Sequence, residues 1–259
     1  MKRAERGGTI VAKQVLVVTG GSSGIGAAVA RMAATRGYAV GISYHASRAP
    51  AERVVADIRG AGGKAIAVQA DAGDEAQTTA FFAEVDRALG PVTALVNNAG
   101  ITGPAASLDD ITPDALDAVL AINVRGCFIA LRLAIARMAT DRGGSGGAVV
   151  NVSSRASEIG GANEWVHYAA SKGAVDSFTI GAAKELAPRG IRVNAVNPGL
   201  IDTAIHAKAG MADRIERFRS VIPMGRAGSA DEVARVILWL LSDEASYVTG
   251  ALVPVGGGR

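Results

Sequence analysis

The sequence predicts a single α/β domain built on a doubly wound parallel sheet of seven strands with helices on both faces. Three observations predict it. Short apolar, β-branched runs alternate with helical stretches from Gln14 onward. The first run closes on a glycine-rich loop that leads straight into a helix. No linker or shift in composition divides the 259 residues.

Gln14–Thr19 reads as a buried strand ending at glycines. Ile25, Val29 and Met32 then recur at helical spacing to Arg36, and Gly37 closes that helix. Ala39–Tyr44 is a second strand, and Arg53–Arg59 is helical up to Gly60. Ala65–Gln69 is a third strand, and Glu75–Leu89 is a helix stopped by Gly90-Pro91. Ala94–Asn97 is a fourth strand. Thr112-Pro113-Asp114 supplies a cap, a proline in the first turn and an early acid for a long helix to about Met138. Ala148–Val152 is a fifth strand, followed by the helix that carries Tyr168. Ile191–Val196 is a sixth strand. Ser229-Ala-Asp-Glu232 is a capping box ahead of a Val233–Leu241 helix, and Leu252–Val255 is the last strand. Residues 1–13, with Lys2, Arg3, Glu5 and Arg6 but no apolar core, read as a flexible arm and not a signal peptide.

Composition narrows the function. The formal charge of +3 and the lack of a basic run argue against nucleic acid. The longest uncharged stretch, Ala88–Leu108, holds two prolines and three glycines, so no membrane span is expected. The lone Cys127 rules out an intrachain disulfide framework and a cysteine-rich metal site, and suits a reduced, cytoplasmic setting.

The loop Thr19-Gly20-Gly21-Ser22-Ser23-Gly24-Ile25-Gly26 joins the first strand to the first helix. Glycines let backbone approach a ligand closely, and a helix N-terminus offers free N–H groups to a pyrophosphate. Gly20, Ser22, Ser23, Gly24, Ile25 and Gly26 are therefore assigned to a dinucleotide in a Rossmann-like fold. The same letters fit the G-x-S-x-G elbow of α/β hydrolases. That elbow needs an earlier strand to supply an oxyanion loop, and only 19 residues precede Gly20.

NAD-specific folds place an acid after the second strand. From Tyr38 to Ala51 this chain has no Asp or Glu, and offers Tyr44, His45, Ser47 and Arg48 instead. Ser47 and Arg48 can hold a 2′-phosphate, so NADP(H) is expected over NAD(H), with Arg48 as a solvated loop residue the alternative. Asp71 is placed either to meet the adenine or to shape a turn. Finally, Tyr168-Ala-Ala-Ser-Lys172 sets a phenol and an ammonium about one turn apart on one helix face. An ammonium there stabilises the phenol's anion and makes it a workable acid or base.

In this order and spacing the motifs resemble the short-chain dehydrogenase/reductase family. They are the glycine loop, Asp71, Asn97-Asn98-Ala99-Gly100, Asn123, Ser154, Tyr168-x-x-x-Lys172, Asn197-Pro198-Gly199 with Thr203, and Tyr247-Val-Thr-Gly250. The resemblance implies a catalytic set of Asn123, Ser154, Tyr168 and Lys172. Tyr168 would move the proton, Lys172 would assist it and hold the nicotinamide ribose, Ser154 would bind the substrate oxygen, and Asn123 would hold a water. Asn123 bound internally between helices is the other reading. The resemblance adds Ala72, Asn98, Ala99, Gly100, Pro198, Gly199, Ile201 and Thr203 to the cofactor site. It implies a small carbonyl or alcohol substrate, either a 3-oxoacyl group or a sugar or polyol, and a homotetramer or homodimer. A dinucleotide-binding regulator without turnover is the alternative. The family usually has twelve residues between serine and tyrosine; here thirteen separate Ser154 from Tyr168, which leaves Ser153 in contention. A substrate lid is expected over 200–223, with Ile205, His206, Met211, Ile215 and Phe218; Ile101, Glu164 and Trp165 are expected near the pocket.

Overall fold

The computed structural model describes residues 14–203, 211 and 213–259. The arm at 1–13, and Ile205 and His206 of the lid, lie outside the described residues.

Seven parallel strands form the sheet: β1 (Val15–Val18), β2 (Ala39–Tyr44), β3 (Ala65–Gln69), β4 (Ala94–Asn97), β5 (Gly147–Val152), β6 (Ile191–Pro198) and β9 (Leu252–Val255). Their spatial order is β3-β2-β1-β4-β5-β6-β9. Val18 pairs with Ile42 on one side and Val96 on the other, and Asn97 pairs with Asn151. The order reverses between β1 and β4, which opens a crevice at their carboxyl ends.

Alternate strand residues face opposite layers. Leu16, Val18, Val40 and Ile42 pack with α1 (Gly24–Thr35), α2 (Arg48–Gly60) and α9 (Ala230–Leu241). Val15, Val17, Leu95 and Val149 pack with α3 (Glu75–Leu89), α5 (Gly126–Met138) and α7 (Val166–Leu186). With only 4% aromatic residues, this core is chiefly Ala, Val, Leu and Ile.

Several elements differ from the sequence reading. Helix α2 begins five residues early, at Arg48. Pro50 masks that start in the sequence, yet a proline in the first turn loses no helical hydrogen bond. The long helix is α4 (Pro113–Leu120), a π turn (Ala121–Arg125) and α5. By length and composition Pro113–Met138 could cross a membrane, but here it packs into the fold with 44% of its most apolar window buried. The segment where a lid is expected holds β7 (Ile201–Asp202), paired with β8 (Gly228–Ser229), and α8 (Arg214–Phe218). A short helix, α6 (Ala156–Ile159), precedes α7.

Candidate active site

The crevice is laced shut at its base. Thr19, at the end of β1, accepts the backbone N–H groups of Asn98 and Ala99 on Oγ1, each at 3.0 Å. Asn98 Nδ2 returns bonds to the carbonyls of Thr19 at 3.0 Å and Gly20 at 2.9 Å. Only glycine fits at Gly20, where φ is +65° and a Cβ would sit 2.9 Å from Ala99 Cα. At Gly26 a Cβ would sit 2.5 Å from Asn98 Nδ2.

Above this base lies a cleft of about 870 Å³. Gly20, Ser22, Ser23, Gly24, Ile25, Tyr44, His45, Ser47, Asp71, Ala72, Asn98, Ala99, Gly100, Pro198, Gly199, Ile201 and Thr203 all line it. Gly26 and Arg48 do not. Gly26 acts by letting α1 approach Asn98. Arg48 is exposed over the first turn of α2, 4.0 Å from Glu52. Asp71 lines the cleft and also shapes the turn, accepting the Gly73 N–H on Oδ1 at 2.8 Å.

At the other end stand Tyr168, Lys172, Ser153 and Ser154. Lys172 is 4% exposed, and its Nζ donates to the Val152 carbonyl at 2.8 Å. That bond ties α7 to the end of β5 and holds the amine 5.6 Å from the centre of the Tyr168 ring. The two serines differ. Ser153 is 3% exposed, and its hydroxyl donates to the Lys172 carbonyl at 3.1 Å. Ser154 is half-buried, accepts the Ala156 N–H on Oγ at 3.1 Å, and keeps its own proton to donate into the cleft.

Asn123 is fully buried in the π turn and does not line the cleft. Its Oδ1 accepts the Ile101 N–H at 2.9 Å; its Nδ2 donates to the Ile101 carbonyl and to Ser171 Oγ, both at 2.9 Å. Both amide hydrogens are spent. The side chain fastens the loop after β4 to the Tyr168 helix, matching the internally bound reading. π turns recur at functional sites, and this one aims Asn123 at that loop.

Trp165 and Ile101 line the cleft, whereas Glu164 pairs with Arg214 from outside its lining. Arg155, Arg214 and Arg259 also line it, and no sequence signal marked them. His167 is 3% exposed beside Gly103, with no hydrogen-bond partner for either ring nitrogen among the described residues. Burial holds its imidazole below the usual histidine range. Burial likewise pushes the Cys127 thiol up to about 11, so it is an inert core group. No cluster of metal-ligating side chains occurs among the described residues.

A family profile described as enoyl-(acyl carrier protein) reductase matches residues 20–259. A short-chain dehydrogenase/reductase from Serratia marcescens shares 34% identity at a TM-score of 0.87, covering 95% of this chain and 97% of that one. The chain belongs to the short-chain dehydrogenase/reductase family. Like its relatives it is a nicotinamide-dependent oxidoreductase. The uncharacterised oxidoreductase YgfF of Escherichia coli K12 is 49% identical over 245 residues, 95% of this chain and 99% of that protein. The L-rhamnose 1-dehydrogenase (NAD(P)(+)) of Sphingomonas sp. SKA58 is 38% identical over 247 residues, 95% of each chain. A blue fluorescent protein from a metagenomic library, solved with NADPH, is 36% identical at a TM-score of 0.87, over 95% of this chain and 97% of that one. For this family member the seven-stranded, doubly wound parallel sheet is the one the sequence predicts.

Proposed function

We propose that this enzyme interconverts a carbonyl and a secondary alcohol with NADP(H) as its preferred cofactor. One observation carries the reading: Tyr168, Lys172 and Ser154 share a single cleft with the glycine loop and the Tyr44–Ser47 segment.

The residues fit a dinucleotide. Gly20 lets the loop after β1 pack directly on Ala99, and the loop leads into the N-terminus of α1, whose free N–H groups suit a pyrophosphate. Tyr44, His45, Ala46 and Ser47 close the ribose end, and no carboxylate stands among them to repel a 2′-phosphate. The N-terminus of α2, beginning just beyond Ser47, adds a favourable dipole there. Ser47 and the α2 N-terminus carry this preference; Arg48 would have to turn inward to join them.

A reduced nicotinamide held there would be the source of hydride for the carbonyl carbon. Ser154 donates a hydrogen bond to the carbonyl oxygen and orients it. Tyr168 gives that oxygen its proton, and takes one back in the reverse direction. Lys172, buried and fixed by Val152, holds its amine 5.6 Å from the Tyr168 ring at the reacting end of the cleft. Asn123 positions the loop that faces Tyr168 and does not touch the reacting atoms. The relatives leave open a 3-oxoacyl or a sugar substrate.

The deciding measurement is NADPH and NADH turnover against 3-oxoacyl thioesters, diketones, aldehydes, oxo acids and sugars, in both directions. NADPH is expected to be preferred. Tyr168→Phe is expected to lose about 10²–10⁴-fold in turnover while still binding NADPH; a variant that stays active would refute the mechanism.

We also propose a homotetramer. Phe128 is 53% exposed on α5, stacked 4.1 Å from Phe178 of α7, with Ile180 nearby in sequence and 38% exposed. Tyr247, fully exposed ahead of β9, marks a second apolar face.

A further inference from the structure

The substrate end of the cleft has a charge pattern that hydride transfer does not require. Arg155, Arg214 and Arg259 line it, and the one side-chain carboxylate in the lining among the described residues, Asp71, belongs to the adenosine end. Glu158 and Glu164 pair with Arg155 and Arg214 from outside the lining. Arg155 Nε also donates to a main-chain carboxylate oxygen of Arg259, the last residue, at 2.8 Å. The Arg259 guanidinium pairs with no carboxylate among the described residues. The sequence between Thr203 and Asp213 supplies no acid that could pair with it.

Arg259 is held in place. A Cβ on Gly199 would lie 2.7 Å from Gly256 Cα, and Met224 N donates to the Gly257 carbonyl at 3.1 Å, so the segment threads between the loop after β6 and the end of the lid. The guanidinium lies 4.9 Å over the Phe218 ring. Arg214 lies 4.8 Å over the same ring and 4.4 Å over Trp165. The stack fixes two planar cations near each other; burial and then the Arg214 charge work against ionisation of Arg259, and the Glu164 carboxylate offsets them in part. An anion with a planar, two-oxygen face would relieve that repulsion and take two parallel hydrogen bonds.

We propose that the substrate carries a free carboxylate seated on Arg259, with Arg214 beside it, so that the enzyme works on a small oxo acid and its hydroxy acid. This rests on the carbonyl–alcohol reading above and narrows it, disfavouring neutral sugars, diketones and carrier-bound thioesters.

The test uses the protein loaded with NADPH and follows bound-cofactor fluorescence during titration with 3-hydroxybutyrate or its methyl ester. The acid is expected to bind at least about tenfold more tightly than the ester. Arg259→Gln is expected to erase that preference, and Arg259→Lys to restore part of it. Equal binding, tighter ester binding, no binding of the acid, or a preference that survives Arg259→Gln would each overturn the inference. Turnover is then compared for short 2-, 3- and 4-oxo acids and their methyl esters. Reduction of esters but not acids sinks the carboxylate seat and leaves the oxidoreductase reading intact. Binding of acid without reduction of any carbonyl sinks the proposed reaction and leaves the seat.

Discussion

Ser153 and Ser154 are neighbours with opposite surroundings, and those surroundings assign their tasks. Ser154→Ala is expected to lose most turnover. Ser153→Ala is expected to keep turnover and lose about 1 kcal/mol of stability, because the Lys172 carbonyl loses a buried donor; steady-state rates and thermal melts of both variants decide it. The sequence left the two open because thirteen residues separate Ser154 from Tyr168. Between them, Gly160, Gly161 and Asn163 adopt left-handed φ of 87°, 64° and 59°. The Tyr168–Lys172 pair was legible because helical spacing alone sets it. Asn123 was legible either as a water holder or as an internal tie between helices, and the sequence could not choose because its partners lie 22 and 48 residues away. His167 makes stability depend on pH. Its imidazole binds a proton less readily folded than unfolded, so the unfolded chain takes up more protons as pH falls through the ordinary histidine value near ~6.5. The contribution is fully favourable above that value and is lost below it. Melts from pH 8 to 5 should show a shallower acid decline in His167→Leu than in the parent chain.

Helix ends read well where their chemistry is local. Ser229 Oγ accepts the Glu232 N–H at 3.2 Å, and Glu232 returns a bond to Ser229 N at 2.8 Å. The Arg226 guanidinium beside it, at 2.7 Å and 2.9 Å, is the main reason the Glu232 carboxyl is held down to about 2. Ser229→Ala should lower stability by about 1 kcal/mol and the melting temperature by roughly 2–4 °C, with little change in NADPH affinity. The capping box starts α9 at Ala230, three residues before the apolar pattern did, because the first turn is polar. The π turn escaped the sequence altogether. The apolar pattern runs through Ala121–Arg125 without a break, and what accompanies the extra residue there is tertiary: Asn123 reaching Ile101 and Ser171.

For the whole molecule, alternating strands and helices made the doubly wound class readable, and the glycine loop fixed which end of the sheet carries the site. Lateral strand order was not legible, because the pairing of β1 with both β2 and β4 is set between segments far apart in the chain. Association is the property still to be measured. The chain should sediment as a tetramer, and Phe128→Asp, which places a charge on the exposed face of α5, should shift it to a smaller species; a monomeric parent chain would reject the proposal. The guanidinium wall was illegible because Arg155, Arg214 and Arg259 are scattered along the chain with no shared spacing. That scatter has an evolutionary side. The cofactor wall is drawn mostly from residues before Gly100, whereas the substrate wall comes from the neighbourhoods of Arg155, Trp165, Arg214 and Arg259. Drift can therefore rewrite what the enzyme accepts, one distant segment at a time, while its redox half is inherited unchanged.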